Sequence, residues 1–166
     1  MIPGILRSEG EQFMYKGIPT FSPEIFRELW LTDPFKSKQL EKGILQLTDE
    51  GLAQVFIQNN RKVVGTVGEL QFEVIQYRLL NEYGATSQYR HLNYYKACWV
   101  IFNDEKDIEE LMRIRSHNLF YDKHGSLVFM AESPYQLNAA KENNPKAQFL
   151  FNIEHNTETL ELDKVA

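Results

Sequence analysis

The sequence predicts an α+β fold of two consecutive split β-α-β units, each with the ferredoxin-like order β-α-β-β-α-β. Three features carry that expectation. Apolar runs of strand length alternate with segments of helical periodicity, and the order strand-helix-strand-strand-helix-strand occurs twice. Each change of pattern falls at a turn or capping signal. The 166 residues are 43% apolar and include 11 Phe, 8 Tyr and 2 Trp, enough to fill well-packed interiors. The halves share this pattern without visible sequence similarity.

In the first half, Arg27–Leu31 reads as a short strand, and Asp33-Pro34 gives an N-cap with proline at the first helical position. Leu40, Ile44 and Leu47 follow at i, i+4, i+7, one apolar stripe that Thr48-Asp-Glu-Gly51 ends. Ala53–Ile57 and Lys62–Val67 read as strands, and Asn59-Asn60 between them tolerates the left-handed backbone of a tight hairpin. A helix follows from Glu69 to Tyr83, with Phe72, Ile75 and Leu79 inward and Gly84 as its stop. Thr86–Leu92 closes the unit as a strand.

The second half opens with Lys96–Phe102, the most hydrophobic strand of the chain. Asp104 caps a helix expected to run to Ser116 with Ile108, Leu111, Met112 and Arg115 on one face. Leu119–Tyr121 and Leu127–Ala131 flank a turn at His124-Gly125, and Ser133-Pro134 starts another helix, with Gln136 completing a capping box. Asn143-Asn144-Pro145 ends that helix before a last strand, Ala147–Phe151. The expected organisation is a Pro/Gly-rich linker at 1–25, units at 26–93 and 94–153, and an acidic, fraying tail at 154–166. Trp99, Val100, Phe102, Phe129 and Phe149 are expected in the second core.

Composition narrows the function classes. The net charge of −5 disfavours autonomous binding to duplex DNA, which draws its affinity from neutralised phosphates. The longest apolar run, Ala97–Phe102, is far short of the ~20 residues of a membrane span. The N-terminus lacks a secretory pattern, so a cytoplasmic address and no membrane partner are expected. The single cysteine, Cys98, lies inside the apolar run and reads as a buried structural thiol.

The chemical motifs resolve into ordinary structure. Gly65-Thr-Val-Gly68-Glu69-Leu70 joins a strand to a helix, as phosphate loops do, but Glu69 stands where a P-loop needs Lys. The sequence therefore predicts that this chain neither binds nor hydrolyses GTP. His91, His117, His124 and His155 lack zinc-ligand spacing, and the carboxylate pairs read as solvated helix charge. An acid-base hydrolase has no convergent set of titratable residues to rest on. An RNA-recognition motif shares the element order, but its signature is missing, and Val128-Phe129-Met130 reads as buried strand. Basic residues cluster at Lys36, Lys38 and Lys42, at Arg61-Lys62 on the projecting hairpin, and at Arg113 with Arg115.

Longer blocks carry a resemblance. Gly17-Ile-Pro-Thr-Phe-Ser-Pro-Glu-Ile-Phe26, Lys38-Gln-Leu-Glu-Lys-Gly43, Gln46-Leu-Thr-Asp-Glu-Gly51 and Gln54-Val-Phe56 are the first of them. Val64-Gly-Thr-Val-Gly-Glu-Leu-Gln-Phe-Glu73, Arg78-Leu79 and Glu82-Tyr83 follow. Over roughly residues 8–152 the chain resembles the C-terminal domain of bacterial peptide chain release factor 3, a class II release factor and translational GTPase. Its first unit is also similar to the third domain of elongation factor G. The resemblance implies that residues 1–25 include the end of a preceding β-barrel domain. It implies a non-catalytic role in translation termination, promoting departure of class I release factors from the ribosome. GTP and Mg²⁺ would belong to a separate N-terminal domain, so no cofactor, catalytic residue or metal ligand is expected here. The implied partners are the small-subunit side of the ribosome, both protein and rRNA, and the parent's own GTPase and β-barrel domains, with class I release factors met indirectly. The basic residues expected to meet the ribosome are Arg61, Lys62, Lys36 and Lys38. The hairpin at Gln58–Lys62 is shorter than the family's, and Ile57 stands where its pattern has Arg, so any contact of that Arg with the ribosome or another domain is missing or moved to Arg61. The competing reading is a regulatory module binding a small molecule between paired units, for which no Gly/Asp/Asn-rich recognition loop stands out.

Overall fold

A computed structural model describes residues 22–151. They fall into two compact units, Pro23–Asn93 and a second that begins at Tyr94 and takes in Ser22, whose hydroxyl donates to the Phe151 carbonyl at 2.8 Å. The linker expected before residue 22 and the acidic tail lie outside the described residues.

The first unit runs β1 (Ile25–Leu31), α1 (Ser37–Asp49), β2 (Gln54–Gln58), β3 (Arg61–Thr66), α2 (Leu70–Tyr83) and β4 (Ser87–Leu92). Its strands lie in the order β4-β1-β3-β2 with antiparallel neighbours. The Asp33 carboxylate accepts from the Phe35 N–H at 3.0 Å, as the Asp-Pro signal predicts, but it opens a 3-10 turn at Pro34–Lys36 before α1 begins. Leu40, Ile44 and Leu47 of α1 and Phe72, Ile75 and Leu79 of α2 pack with Leu29, Val55 and Val64 of the sheet. Asn59 adopts φ 53° at the β2–β3 turn, and Gly84 adopts φ 67° where α2 stops.

Arg78 of α2 ties this helix pair together. It donates to Glu82 within α2 and grips Glu50, at the end of α1, with both terminal nitrogens. Hydrogen bonds from Arg78 hold the Glu50 carboxyl below the ordinary glutamate value, against a smaller opposing effect of desolvation. A carboxyl lowered in the folded state contributes stability above its unfolded value and loses it as pH falls through the folded one. In Arg78→Gln the Glu50 titration followed by NMR should move up to the ordinary range. An unmoved titration would show that Arg78 is not what lowers it.

The second unit runs β5 (Lys96–Ile101), α3 (Glu109–Ile114), β6 (Leu119–Tyr121), β7 (Leu127–Ala131), α4 (Pro134–Asn143) and β8 (Gln148–Leu150). Its strand order, β6-β7-β5-β8, is the ferredoxin-like arrangement again, with antiparallel neighbours. Cys98, Val100, Phe102, Ile108, Leu111, Phe129, Leu137 and Phe149 form the core beneath α3 and α4. Burial pushes the Cys98 thiol up to about 12, so it stays protonated and inert at neutral pH.

Three expectations need correction here. The long helix from Asp104 to Ser116 is split into a 3-10 turn at Glu105–Ile108, the six-residue α3, and a second 3-10 turn at Ser116–Asn118. The first turn tightens because Asp104 accepts from Lys106 N–H while Asp107 takes the backbone N–H groups of Asn103 and Asp104. The last turn delivers Asn118, fully buried, to donate to the Met130 carbonyl at 2.8 Å. The break also rotates Met112 off the Ile108–Leu111 face, leaving it 37% exposed. Trp99 is buried, but not with Val100: adjacent strand residues point to opposite faces, and Trp99 faces away from the helix-side core. At α4 the Ser133 hydroxyl accepts from Gln136 N–H, but the Gln136 side chain accepts from Glu132 N–H, one residue before the reciprocal position of a capping box.

Candidate interaction surface

The four basic residues singled out in the sequence lie on two elements. Arg61 and Lys62 are consecutive on β3 and therefore face opposite sides of the sheet. Arg61 donates through Nε and a terminal nitrogen to Glu28 of β1, both at 2.8 Å, and also to Gln58 at 3.1 Å. Lys62 lies 3.5 Å from Glu41 of α1. Both cations are thus locally balanced by carboxylates, which lowers the net field they offer an anion. Lys36 is half-buried in the 3-10 turn, and Lys38 is exposed in the first turn of α1.

The strand-to-helix junction at Gly65–Gln71 is occupied by its own side chains. Gly68 N–H donates to the Gln71 side chain at 2.7 Å, and the Thr66 hydroxyl donates to the Gly68 carbonyl at 2.8 Å. Glu69 pairs with Arg27 at 3.7 Å, and the Arg27 guanidinium lies over the Phe72 ring at 4.5 Å. Gly65 is needed for space, since a Cβ there would stand 2.8 Å from the Pro23 Cβ. The residues that resemble a phosphate loop therefore clamp α2 to the sheet.

No group of three or more His, Cys, Asp or Glu side chains converges on a metal position among the described residues. His91 bonds to Asn93, and His124 is exposed at the β6–β7 turn; His155 is outside the described residues. Val128, Phe129 and Met130 are fully buried, so β7 offers no stacking platform. Among the described residues no helix is long and apolar enough to cross a membrane.

What the sequence reading missed lies on α2. Leu70, Val74, Tyr77 and Leu80 are 72%, 40%, 68% and 49% exposed, a second apolar stripe beside the buried one. The signal was present: positions 70, 74 and 77 repeat at i, i+4, i+7, and one buried face cannot absorb all of α2's apolar residues. Next to the stripe is a cleft of about 400 Å³ lined by Glu73, Gln76, Tyr77, Leu80, Thr86 and Ser87. A contiguous apolar strip on a helix exterior is a surface suited to a protein partner.

Fold and surface define a protein of paired ferredoxin-like units whose exposed features suit docking. Residues 15–141 match the family model described as class II release factor RF3, C-terminal domain. The match spans most of the chain, and the chain belongs to that family: it is the C-terminal part of a release factor 3 protein, a factor of translation termination.

Proposed function

We propose that this chain is the non-catalytic docking domain of its parent, joining the parent's GTPase and β-barrel domains to the ribosome while class I release factors are driven off. The observation that carries this reading is the apolar stripe Leu70-Val74-Tyr77-Leu80, a surface that favours a protein cover over water. A domain that exchanges one cover for another between two states transmits a change without catalytic groups of its own. Soluble partners of this kind fit a cytoplasmic address. Nucleotide and Mg²⁺ belong to the parent's other domain in this proposal. Calorimetry of the 166-residue chain with GTP and Mg²⁺ should then show no saturable heat.

The decisive experiment uses the full-length parent. Tyr77→Ser with Leu80→Ser removes apolar area from exposed positions, so the fold should be kept and its unfolding midpoint nearly unchanged. Departure of a labelled class I release factor from terminated ribosomes should slow by at least tenfold. An unchanged rate with the fold intact would remove the stripe from the mechanism.

A further inference from the structure

We infer that the groove between α2 and β4 takes an extended peptide of a partner protein as an added antiparallel strand, with an apolar side chain seated on Tyr77 and Leu80 and a basic one facing Glu73. This deepens the reading of the α2 stripe as a docking surface and rests on it. β4 is the outer strand of its unit and pairs only with β1 among the described residues. Leu31 stands opposite Ser87, and at the next pair Thr32 N–H donates to the Thr86 carbonyl at 3.3 Å. Bonded and non-bonded pairs alternate in an antiparallel ladder, so Ser87, Tyr89 and His91 turn their N–H and C=O groups outward. Such a row of donors and acceptors at strand spacing is matched by another extended backbone.

Two observations at Ser87 mark where that backbone enters. Its outward carbonyl accepts at 2.6 Å from the side-chain amide of Gln76, an exposed residue of α2. Ser87 itself is 6% exposed, and its hydroxyl is the one buried side-chain polar atom without a hydrogen-bond partner among the described residues. Buried polar groups are rarely left so. Gln76 thus stands in for a strand donor, on a side chain that can swing into water. A strand that displaces it brings a donor to the carbonyl and polar backbone beside the unbonded hydroxyl.

The lining of the 400 Å³ cleft specifies the side chains. Tyr77 and Leu80 form its apolar wall, and Glu73, exposed and without an ion pair among the described residues, is its one charged group. Nearby charges leave Glu73 uncancelled. Arg27 is paired with Glu69, Arg78 is bound to Glu50 and Glu82, and His91 is bonded to Asn93. Arg90 follows Tyr89 in β4 and so lies on the opposite face of the sheet. With no free cation in its lining the groove does not suit a nucleic acid, which needs one for its phosphates. Tyr89 packs on Phe72 and donates to its carbonyl, which places Tyr89 beside Glu73, while Ser87 lies beside Leu80. Glu73 and Tyr77 are one helical turn apart, about 6 Å, and alternate strand residues are spaced by about 6.8 Å. A basic residue opposite Tyr89 and an apolar one opposite Ser87 therefore meet both groups in register.

The test uses the 166-residue chain, titrated to about 1 mM into the fluorescein-labelled peptide Ser-Thr-Val-Thr-Lys-Thr-Leu-Thr-Ser and followed by anisotropy. Binding should saturate. N-methylation of the peptide's Lys and Leu, whose N–H groups face β4 in the added strand, should weaken it at least tenfold. The same change at the two Thr adjoining that Lys, whose N–H groups face away, should weaken it less than threefold. A peptide with Glu in place of Lys should bind the wild type at least threefold more weakly, and Glu73→Lys, shown to fold by circular dichroism, should reverse that preference. Hydrogen exchange of the Tyr89 and His91 amides should slow on binding. No saturable binding, equal losses from the two methylated peptides, or an unreversed charge preference would each overturn the assignment. So would amides at Tyr89 and His91 already protected in the free chain, the result if a second copy or another segment pairs there. None of these readings involves the ribosome. If the peptide fails while Tyr77→Ser with Leu80→Ser still slows release-factor departure, strand addition is wrong and the docking stripe stands. If the peptide binds and departure is unchanged, the groove stands and the stripe's part in termination falls.

Discussion

Replacing Trp99 with alanine should lower the stability of the second unit by ~3–5 kcal/mol, the range for emptying a buried aromatic site. Trp99 is 2% exposed on β5, and its indole N–H donates to the Asp122 carboxylate at 2.9 Å. That carboxylate is itself 5% exposed. Its other oxygen accepts from the backbone N–H groups of His124 and Ser126, both at 2.9 Å, and so organises the β6–β7 turn where Gly125 sits at φ 81°. Alanine removes the packing and leaves one oxygen of a buried carboxylate short of a donor. Trp99→Phe separates the two losses: it keeps most of the apolar volume and should cost ~1–3 kcal/mol, the penalty for an unsatisfied buried acceptor. Urea unfolding of the three proteins is the check. An unchanged midpoint for Trp99→Ala would mean that the indole is not buried in solution.

Trp99 also marks where the sequence stopped being informative. The alternation along Lys96–Ile101 is legible only if one face is polar, but Ala97, Cys98, Trp99 and Val100 are all buried. With both faces apolar, no pattern assigns Trp99 to one of them. Elements with local chemical signals were legible for the opposite reason. Asp33-Pro34, Asn59-Asn60, Gly84 and Ser133-Pro134 each fix backbone geometry within a few residues, and each lies at an observed boundary. The expected Asp104–Ser116 helix breaks because Asp107 and Asn118 direct their side chains to distant or competing backbone groups, and a helical period carries no record of that. The same limit applies to the basic residues. Sequence shows that Arg61 and Lys62 lie at a hairpin, while only the fold brings Glu28 and Glu41 to them.

Gly43→Val should destabilise the first unit by roughly 3 kcal/mol, at the upper part of the range for overpacking a close contact. Gly43 is buried in the middle of α1, where glycine costs about 1 kcal/mol of helix propensity relative to alanine. The reason for glycine there is the approach of α2. A Cβ at this position would stand 2.7 Å from a Leu79 methyl and 2.8 Å and 3.0 Å from the Tyr83 ring. Leu79 is fully buried, and the nearer Tyr83 atoms lie at the root of its ring, so neither can swing clear. Alanine regains propensity while forcing the helices apart, so its net cost should be smaller than valine's. Valine adds two further methyls and regains only a few tenths of a kcal/mol. Urea midpoints should therefore fall in the order wild type, Gly43→Ala, Gly43→Val. A valine variant as stable as the wild type would show that α1 and α2 can part without loss. The Arg78–Glu50 contact joins the same two helices, so it gives a second reading of the same event. If the valine side chain separates α1 from α2, the Glu50 titration should move up towards the ordinary glutamate range, as it does when Arg78 is removed. Destabilisation without that movement would place the strain within the Leu79 and Tyr83 packing and leave the helix ends in register.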